Sequence, residues 1–230
     1  MSTKKTIVIH SGGMDSTLCL ALAIQEFGKD NVLSLSFNYL QRHSAELIQA
    51  AKISRDWGVD HNEIPLDFFP HLTRNALTHP AMPIENPKDA PANTLVVGRN
   101  GIMAWLGGIH AQHLGAHSIY MGIMALEALH SRYRDCSREY MDVIQGLLRL
   151  ELDDPAFEIR TPLVHLTKKE TFAIAQKRGI LSYLWENTIS CYEGISRFGC
   201  TTCPACILRN AAYAHIQSSN IYVGNSRASA

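Results

Sequence analysis

The sequence predicts an α/β protein, a doubly wound and mostly parallel sheet followed by a helical, metal-binding C-terminal region. Three observations predict it. Short apolar runs alternate with helix-period segments along the first half of the chain, a glycine turn joins the first run to the first helix, and four of the six cysteines fall between residues 191 and 206. Alternation of this kind favours parallel strands with helices on both faces.

The elements follow in order. Lys5 to His10 reads as a buried strand, Ser16 to Phe27 as a helix and Val32 to Phe37 as a second strand, one βαβ unit. The stretch "SAELIQAAKISRDWGVD" carries Leu47, Ala50, Ala51 and Ile53 at helical spacing, with Ser44 as N-cap and Gly58 as stop. A short strand is expected at Asn62 to Ile64. Thr78 to Asn93 holds four prolines and no apolar period, which marks a long loop of the lid type. Helix resumes across "NGIMAWLGGIHAQHLGA", "HSIYMGIM" is expected to be a strand, and Arg138 to Leu150 and Lys168 to Arg178 are expected to be helices. A last helix is expected from Ala205 to Ile216, followed by a weakly structured tail, "SSNIYVGNSRASA".

Lysine plus arginine and aspartate plus glutamate number 21 each, so the chain lacks the basic footprint of a nucleic-acid binder. No apolar run reaches the ~20 residues of a membrane span, and "MSTKK" leads into a strand instead of a signal-peptide core. These readings set the expectation of a cytoplasmic protein that acts on a small molecule, with no nucleic-acid and no membrane partner.

The turn "HSGGMDST", His10 to Thr17, lies where doubly wound sheets bind ligands, beyond the carboxyl end of a strand. Gly12 and Gly13 allow an anion to approach main-chain N–H groups, the following helix adds its positive end, and Ser11, Ser16 and Thr17 offer hydroxyl donors. The turn lacks the Gly-Lys-Ser/Thr ending of a kinase-type P-loop and is not G-x-G-x-x-G. It resembles the pyrophosphate loop of the N-type ATP pyrophosphatases, which implies cleavage of ATP between its α and β phosphates. Asp15 would then act through Mg²⁺ or a hydrogen bond, since a bare carboxylate beside pyrophosphate is repelled.

Cys191, Cys200, Cys203 and Cys206 have the spacing Cys-x8-Cys-x2-Cys-x2-Cys. Four thiolates satisfy tetrahedral Zn²⁺ and leave no position for a catalytic water, so a structural zinc is expected. An iron–sulfur cluster has the same donors. Disulfides fit a reducing compartment less well.

Taken together, "SGGMDST", "FNYLQRHSAE" at 37 to 46, "NTLVVGRN" at 93 to 100, "RYRDCSREY" at 132 to 140, "TPLVHLTKKET" at 161 to 171 and the cysteine spacing resemble the 7-cyano-7-deazaguanine synthase family of queuosine precursor biosynthesis. The resemblance covers nearly the whole chain. It implies an adenine nucleotide alpha hydrolase-like fold, with a PP-loop ATP-binding domain over 1–189 and a zinc-binding region over 190–230. It also implies an ATP-dependent C–N ligase that adenylates the carboxylate of 7-carboxy-7-deazaguanine, lets ammonia displace AMP, and dehydrates the amide to the nitrile. The cofactors implied are ATP, Mg²⁺ and Zn²⁺, and a homodimer is expected.

Carried onto this chain, the resemblance makes Ser11, Asp15 and Lys168 the catalytic set. His10, Ser11, Gly12, Gly13, Asp15, Ser16, Thr17, Arg99 and Lys168 would hold the nucleotide. Arg42, His43, Asn100, Gly122, Glu127 and Cys136 would border the acid. The bland reading for Arg42, His43, Arg99 and Lys168 is an ion pair or a helix cap.

Two departures stand out. Where family members carry a stretch like G-x-N/C-x-x-D-x-S-G-Y-P-D-C-R, this chain has "GIMALEALHSRYRDCSR", so Glu127 is the candidate to replace the missing acid at a guanine-like edge. Leu40 replaces the usual glycine before Gln-Arg-His and is expected to narrow the same region. These changes keep open a diverged paralogue acting on another purine-like compound, including sulfur transfer from a sulfide donor to a free base with Cys136 as relay. A non-enzymatic nucleotide sensor is a third reading, weakened by the presence of Asp15 and Lys168. Cys19, Trp57, Trp105 and Trp185 read as packing residues.

Overall fold

The computed structural model describes residues 3–85, 92–126 and 133–225. Its centre is a sheet of five parallel strands in the order β3-β2-β1-β4-β5: β1 (Thr6–Ile9), β2 (Val32–Asn38), β3 (Asp60–Pro65), β4 (Ser118–Met121) and β5 (Glu158–Arg160). Ile7 lies opposite Leu33 on one side and Ile119 on the other, which fixes the register of the three central strands. Strands buried on both faces carry apolar side chains without alternation, as "TIVI" does.

Eight helices can be labelled among the described residues. They are α1 (Met14–Phe27), α2 (Ala45–Trp57), α3 (Phe69–Leu72), α4 (Arg99–His113), α5 (Arg138–Glu151), α6 (Lys168–Lys177), α7 (Leu181–Asn187) and α8 (Pro204–Asn225). The sheet divides the core in two. On one face Ile7, Leu35, Ile119 and Ile159 pack with Met103 and Ala104 of α4 and with Met141 and Leu148 of α5. On the other face Val8 and Tyr120 pack with Leu18 of α1, Ile53 of α2, Phe172 of α6, Leu184 of α7 and Ala212 of α8. Among the described residues no helix is long and apolar enough to cross a membrane.

The sheet changes winding direction between β1 and β4, and the turns after these two strands therefore open side by side at its carboxyl edge. That opening sets the position of the site.

Several sequence expectations are corrected. Helix α1 starts at Met14, two residues early, because Gly13 and not a later residue is its N-cap. The segment after Ile216 is not a loose tail as far as Asn225, since α8 runs on to that residue. Helices α3 and α7 and strand β5 went unread, each being seven residues or shorter and so below the length at which a period is visible. Trp105 is 36% exposed, with its indole N–H donated to Glu151, and so is not a core residue; Trp185 is buried and stacked on Tyr213.

Candidate active site

The turn between β1 and α1 folds as a ring of short polar contacts. The Ser16 hydroxyl donates to the Gly13 carbonyl at 3.1 Å and receives the Ser11 N–H at 3.2 Å, while the Thr17 hydroxyl donates to the same carbonyl at 2.8 Å. Gly12 takes φ +83°, and a side-chain carbon there would collide with the Glu46 carbonyl of α2, so a glycine is required. The N-cap Gly13 has no side chain to cap α1, and Ser190 takes the Met14 N–H. The N–H groups of Asp15 and Ser16, with the positive end of the helix behind them, suit an anion.

His10 differs from expectation. Its ring is fully buried and both nitrogens are engaged, Nδ1 with the Ser34 hydroxyl at 2.9 Å and Nε2 with the Thr17 hydroxyl at 3.0 Å. Burial, helped by nearby His61, pushes its pKa down to about 3, so the ring is a neutral brace beneath the turn and offers no nitrogen to a nucleotide. The Thr17 hydroxyl is likewise engaged within the protein, whereas Ser11 is exposed at the opening.

Lys168 reaches this turn from α6. It is the first residue of that helix, which begins with a capping box: Thr167 accepts from the Glu170 N–H, and Glu170 accepts from the Thr167 N–H. From there its ammonium straddles the Asp15 carboxylate, at 2.9 Å to Oδ1 and 2.7 Å to Oδ2. Gly122, at the end of β4, lies flat against α1; a side-chain carbon there would come within 2.6 Å of the Ser16 nitrogen.

The cleft above these groups has a volume of about 340 Å³, within the usual range for small-molecule sites. Arg42, His43, Arg99, Asn100, Gly122 and Cys136 all line it. Their side chains are nevertheless tied into the wall. Arg42 donates to the Met82 carbonyl at 2.9 Å and pairs with Glu193 at 3.1 Å, which joins the β2–α2 connection to the cysteine loop. The His43 ring lies under Gly194, where an added carbon would approach Cγ to 2.8 Å. Arg99 donates to the Tyr39 hydroxyl at 3.2 Å. The Asn100 side chain donates to the Cys136 sulfur at 3.3 Å, and its backbone N–H donates at the same distance to the buried Asp135, which serves α4 in place of a cap. Burial pushes the Cys136 thiol up to about 12. Leu40 does not narrow the cleft: it is 52% exposed and keeps the glycine-type backbone at φ +55°. Glu127 lies outside the described residues.

The four cysteines form one cluster, with all their sulfurs within 4.8 Å of one another. Such a cage suits a single ion ~2.3 Å from each thiolate. Backbone N–H groups of Glu193 and Cys200 point at the Cys191 sulfur and that of Cys203 at the Cys200 sulfur, at 3.3 to 3.4 Å. Gly199 fits because a side-chain carbon there would strike the Cys206 sulfur. The donors suit a metal such as zinc or an iron–sulfur cluster.

Two residues that shape the site were missed by sequence reasoning. Arg209 of α8, 2% exposed and stacked on Trp185, donates to the carbonyls of Thr188 and Trp185 and to the Ser190 hydroxyl. It thereby holds the segment that grips the glycine turn, through Ile189 N–H to the Gly12 carbonyl at 3.1 Å and Met14 N–H to the Ser190 hydroxyl at 3.4 Å. The next residue is Cys191, so metal cage and phosphate turn share one strap. The other is Glu46, on the cleft wall in the first turn of α2. Arg209 belongs to no local pattern, and Glu46 closes the stretch "FNYLQRHSAE" without being singled out there; the folded chain brings both to the site.

A 3-2-1-4-5 parallel sheet with a Ser-Gly-Gly-x-Asp-Ser-Thr turn at its switch point defines a PP-loop protein of the ATP pyrophosphatase class. Within that class the chain belongs to the family of the queuosine biosynthesis protein QueC, whose pattern it matches over residues 5–217. It is accordingly an ATP-using enzyme. Among solved structures it is similar to an NH3-dependent NAD synthetase from Campylobacter jejuni, at 18% identity and a TM-score of 0.49, over 80% of this chain and 68% of that one. It is also similar to the U34-tRNA thiolase NcsA from Methanococcus maripaludis, at 16% identity and a TM-score of 0.46, over 78% of this chain and 59% of that one.

Proposed function

We propose that the protein is an AMP-forming C–N ligase that converts 7-carboxy-7-deazaguanine to 7-cyano-7-deazaguanine with ammonia as nitrogen donor. The observation that carries this reading is the start of α1 opening into the cleft, with Asp15 and Lys168 locked together at its rim.

A carboxylate is a poor electrophile, and the enzyme's task is to give it a leaving group. A carboxylate oxygen of the acid attacks the α phosphorus of ATP, the bond to the β-phosphate oxygen breaks, and pyrophosphate departs. Ser11, Gly12, Gly13 and Ser16 receive its oxygens at the helix end, with Thr17 and His10 bracing the turn from beneath. Lys168 supplies a cation to the polyphosphate, and Asp15 would hold Mg²⁺, which neutralises phosphate charge when bound. Ammonia then displaces AMP from the acyl carbon, and a second activation removes the amide oxygen to leave the nitrile. Arg99, Asn100, Gly122 and Cys136 border the acid, while Arg42 and His43 hold that wall to the metal loop. Zn²⁺ is assigned to the four cysteines as a fastening; a full set of protein ligands keeps it out of the chemistry. Cys136 does not serve as a sulfur relay in this reading, since its buried thiol lacks thiolate character at neutral pH.

A homodimer is proposed as the working form, supported by the exposed strip Val143, Leu147 and Leu150 on α5, and sedimentation would test it. The activity is tested by supplying ATP, ammonium and 7-carboxy-7-deazaguanine beside a panel of related purine acids, with products read by mass spectrometry. AMP, pyrophosphate and the nitrile from the deazaguanine acid are expected. Turnover of another acid in preference would reassign the substrate, and no AMP with any acid would overturn the ligase.

A further inference from the structure

We propose that Glu46 holds the ammonium form of the nitrogen donor against the cleft wall and takes the proton whose loss frees the lone pair for attack. The inference rests on the ligase reading above and deepens it by assigning the base for its second step.

Three observations point to Glu46. First, it is fixed to the phosphate turn, because its own carbonyl packs on Gly12, and its side chain lines the cleft. Second, its carboxylate has no hydrogen-bond or ion-pair partner among the described residues, although it sits in the first turn of a helix, where acids usually cap. The neighbouring acids among the described residues are engaged, Asp15 by Lys168 and Asp135 by the Asn100 N–H. Third, the other charged side chains around it, Arg42, Arg99 and Lys168, are cations and cannot accept a proton. Among the described residues Glu46 is therefore the open carboxylate of the cleft.

Burial pushes the Glu46 carboxyl up to about 7, with Arg99 opposing, so the group exchanges a proton at neutral pH, as an effective base must. The groups that face it do not compete for that role. Arg99 on α4 stays charged and the Tyr39 phenol is held protonated by burial. Arg42 is tied to the cysteine loop, burial lowers the proton affinity of the His43 ring, and Asp15 and Lys168 are paired across the cleft. Burial holds the Cys136 thiol and the Tyr192 phenol protonated.

The balance is simple. At neutral pH the donor is mostly ammonium, which has no lone pair to offer. Glu46 accepts one proton and ammonia is formed in place. Its nitrogen forms the C–N bond, the C–O bond to AMP breaks with the electron pair leaving on the phosphate oxygen, and the second nitrogen proton passes to solvent, giving a neutral amide.

The test separates the two half-reactions and uses two nucleophiles. Hydroxylamine is largely uncharged at neutral pH and needs no base to expose its lone pair. In Glu46→Gln, amide formation from ammonium at pH 7 should fall about 10²-fold, far more than acid-dependent pyrophosphate exchange or hydroxamate formation falls. The wild-type ammonium rate should level off above about pH 7, whereas the variant's should keep rising in proportion to free ammonia. Should the variant not fold, the wild type alone decides, since its ammonium rate must level off above about pH 7, whereas a rate that tracks free ammonia keeps rising. Equal losses with both nucleophiles, or an ammonium rate that tracks free ammonia in the wild type, would overturn the role of Glu46 alone. Absence of acid-dependent pyrophosphate exchange in the wild type would overturn the ligase reading, and this proposal with it.

Discussion

Asp15 and Lys168 sit 153 positions apart and meet at 2.7 Å, closing the rim of the phosphate turn. The pair is partly exposed, so solvent screens it and its contribution to stability is about 1 kcal/mol or less. Its value lies in charge placement: Lys168→Met is expected to slow acid-dependent pyrophosphate release about 10²-fold with little change in the unfolding midpoint. Asp15→Asn should do the same, and an undiminished rate in either variant would remove that residue from the chemistry. His10 answers to pH instead. Its folded pKa is depressed to about 3, so the unfolded chain binds the proton more tightly. Stability is then complete above the unfolded value near 6.5 and is lost as pH falls toward 3, by ~1.4 kcal/mol per unit. Denaturant titrations of wild type and His10→Asn should show this slope in the wild type and its loss in the variant. Leu40 carries a backbone angle that suits glycine, at a penalty of about 1 kcal/mol. Because it is exposed and clear of the cleft, Leu40→Gly should raise stability slightly, and a clear loss would refute the strain.

At the scale of elements, the cysteine loop and α8 act as a clamp on the β1–α1 turn. The Thr188–Ser190 strap connects the Gly12 carbonyl and the Met14 N–H to Cys191, with Arg209 bonded along its inner side. Cys203→Ser should weaken metal affinity by at least ~10²-fold and slow pyrophosphate release, because the strap loses its anchor. Metal analysis of the purified protein, read beside the exchange rate, checks both halves; full activity without metal would break the link. Some of this was legible in the sequence. "SGGMDST" and Cys-x8-Cys-x2-Cys-x2-Cys are local patterns, and each folds where its spacing placed it. The strap was not legible, since Arg209 reads as one more helix cation until α8 lays it against Trp185. Strand β5 escaped because Ile159 is its one buried apolar residue, and α7 because seven residues give barely two turns.

The whole molecule is organised by the reversal of strand order between β1 and β4, which opens one cleft at the carboxyl edge of the sheet. Alternation of apolar runs with helices made the α/β class readable, and the unbroken apolar run of β1 made a buried parallel strand readable. Which side chains would turn into the cleft was not readable. Motif position put His10 beside the nucleotide, whereas the Ser34 and Thr17 hydroxyls draw its ring into the core. Conversely, nothing in the stretch "FNYLQRHSAE" singled out Glu46 as a cleft residue. The central claim is that the acid leaves one of its own oxygens on AMP. Turnover with 7-carboxy-7-deazaguanine labelled with ¹⁸O in its carboxylate measures this directly: the account predicts ¹⁸O in the phosphate of AMP, and AMP without label, or label in pyrophosphate, would contradict it.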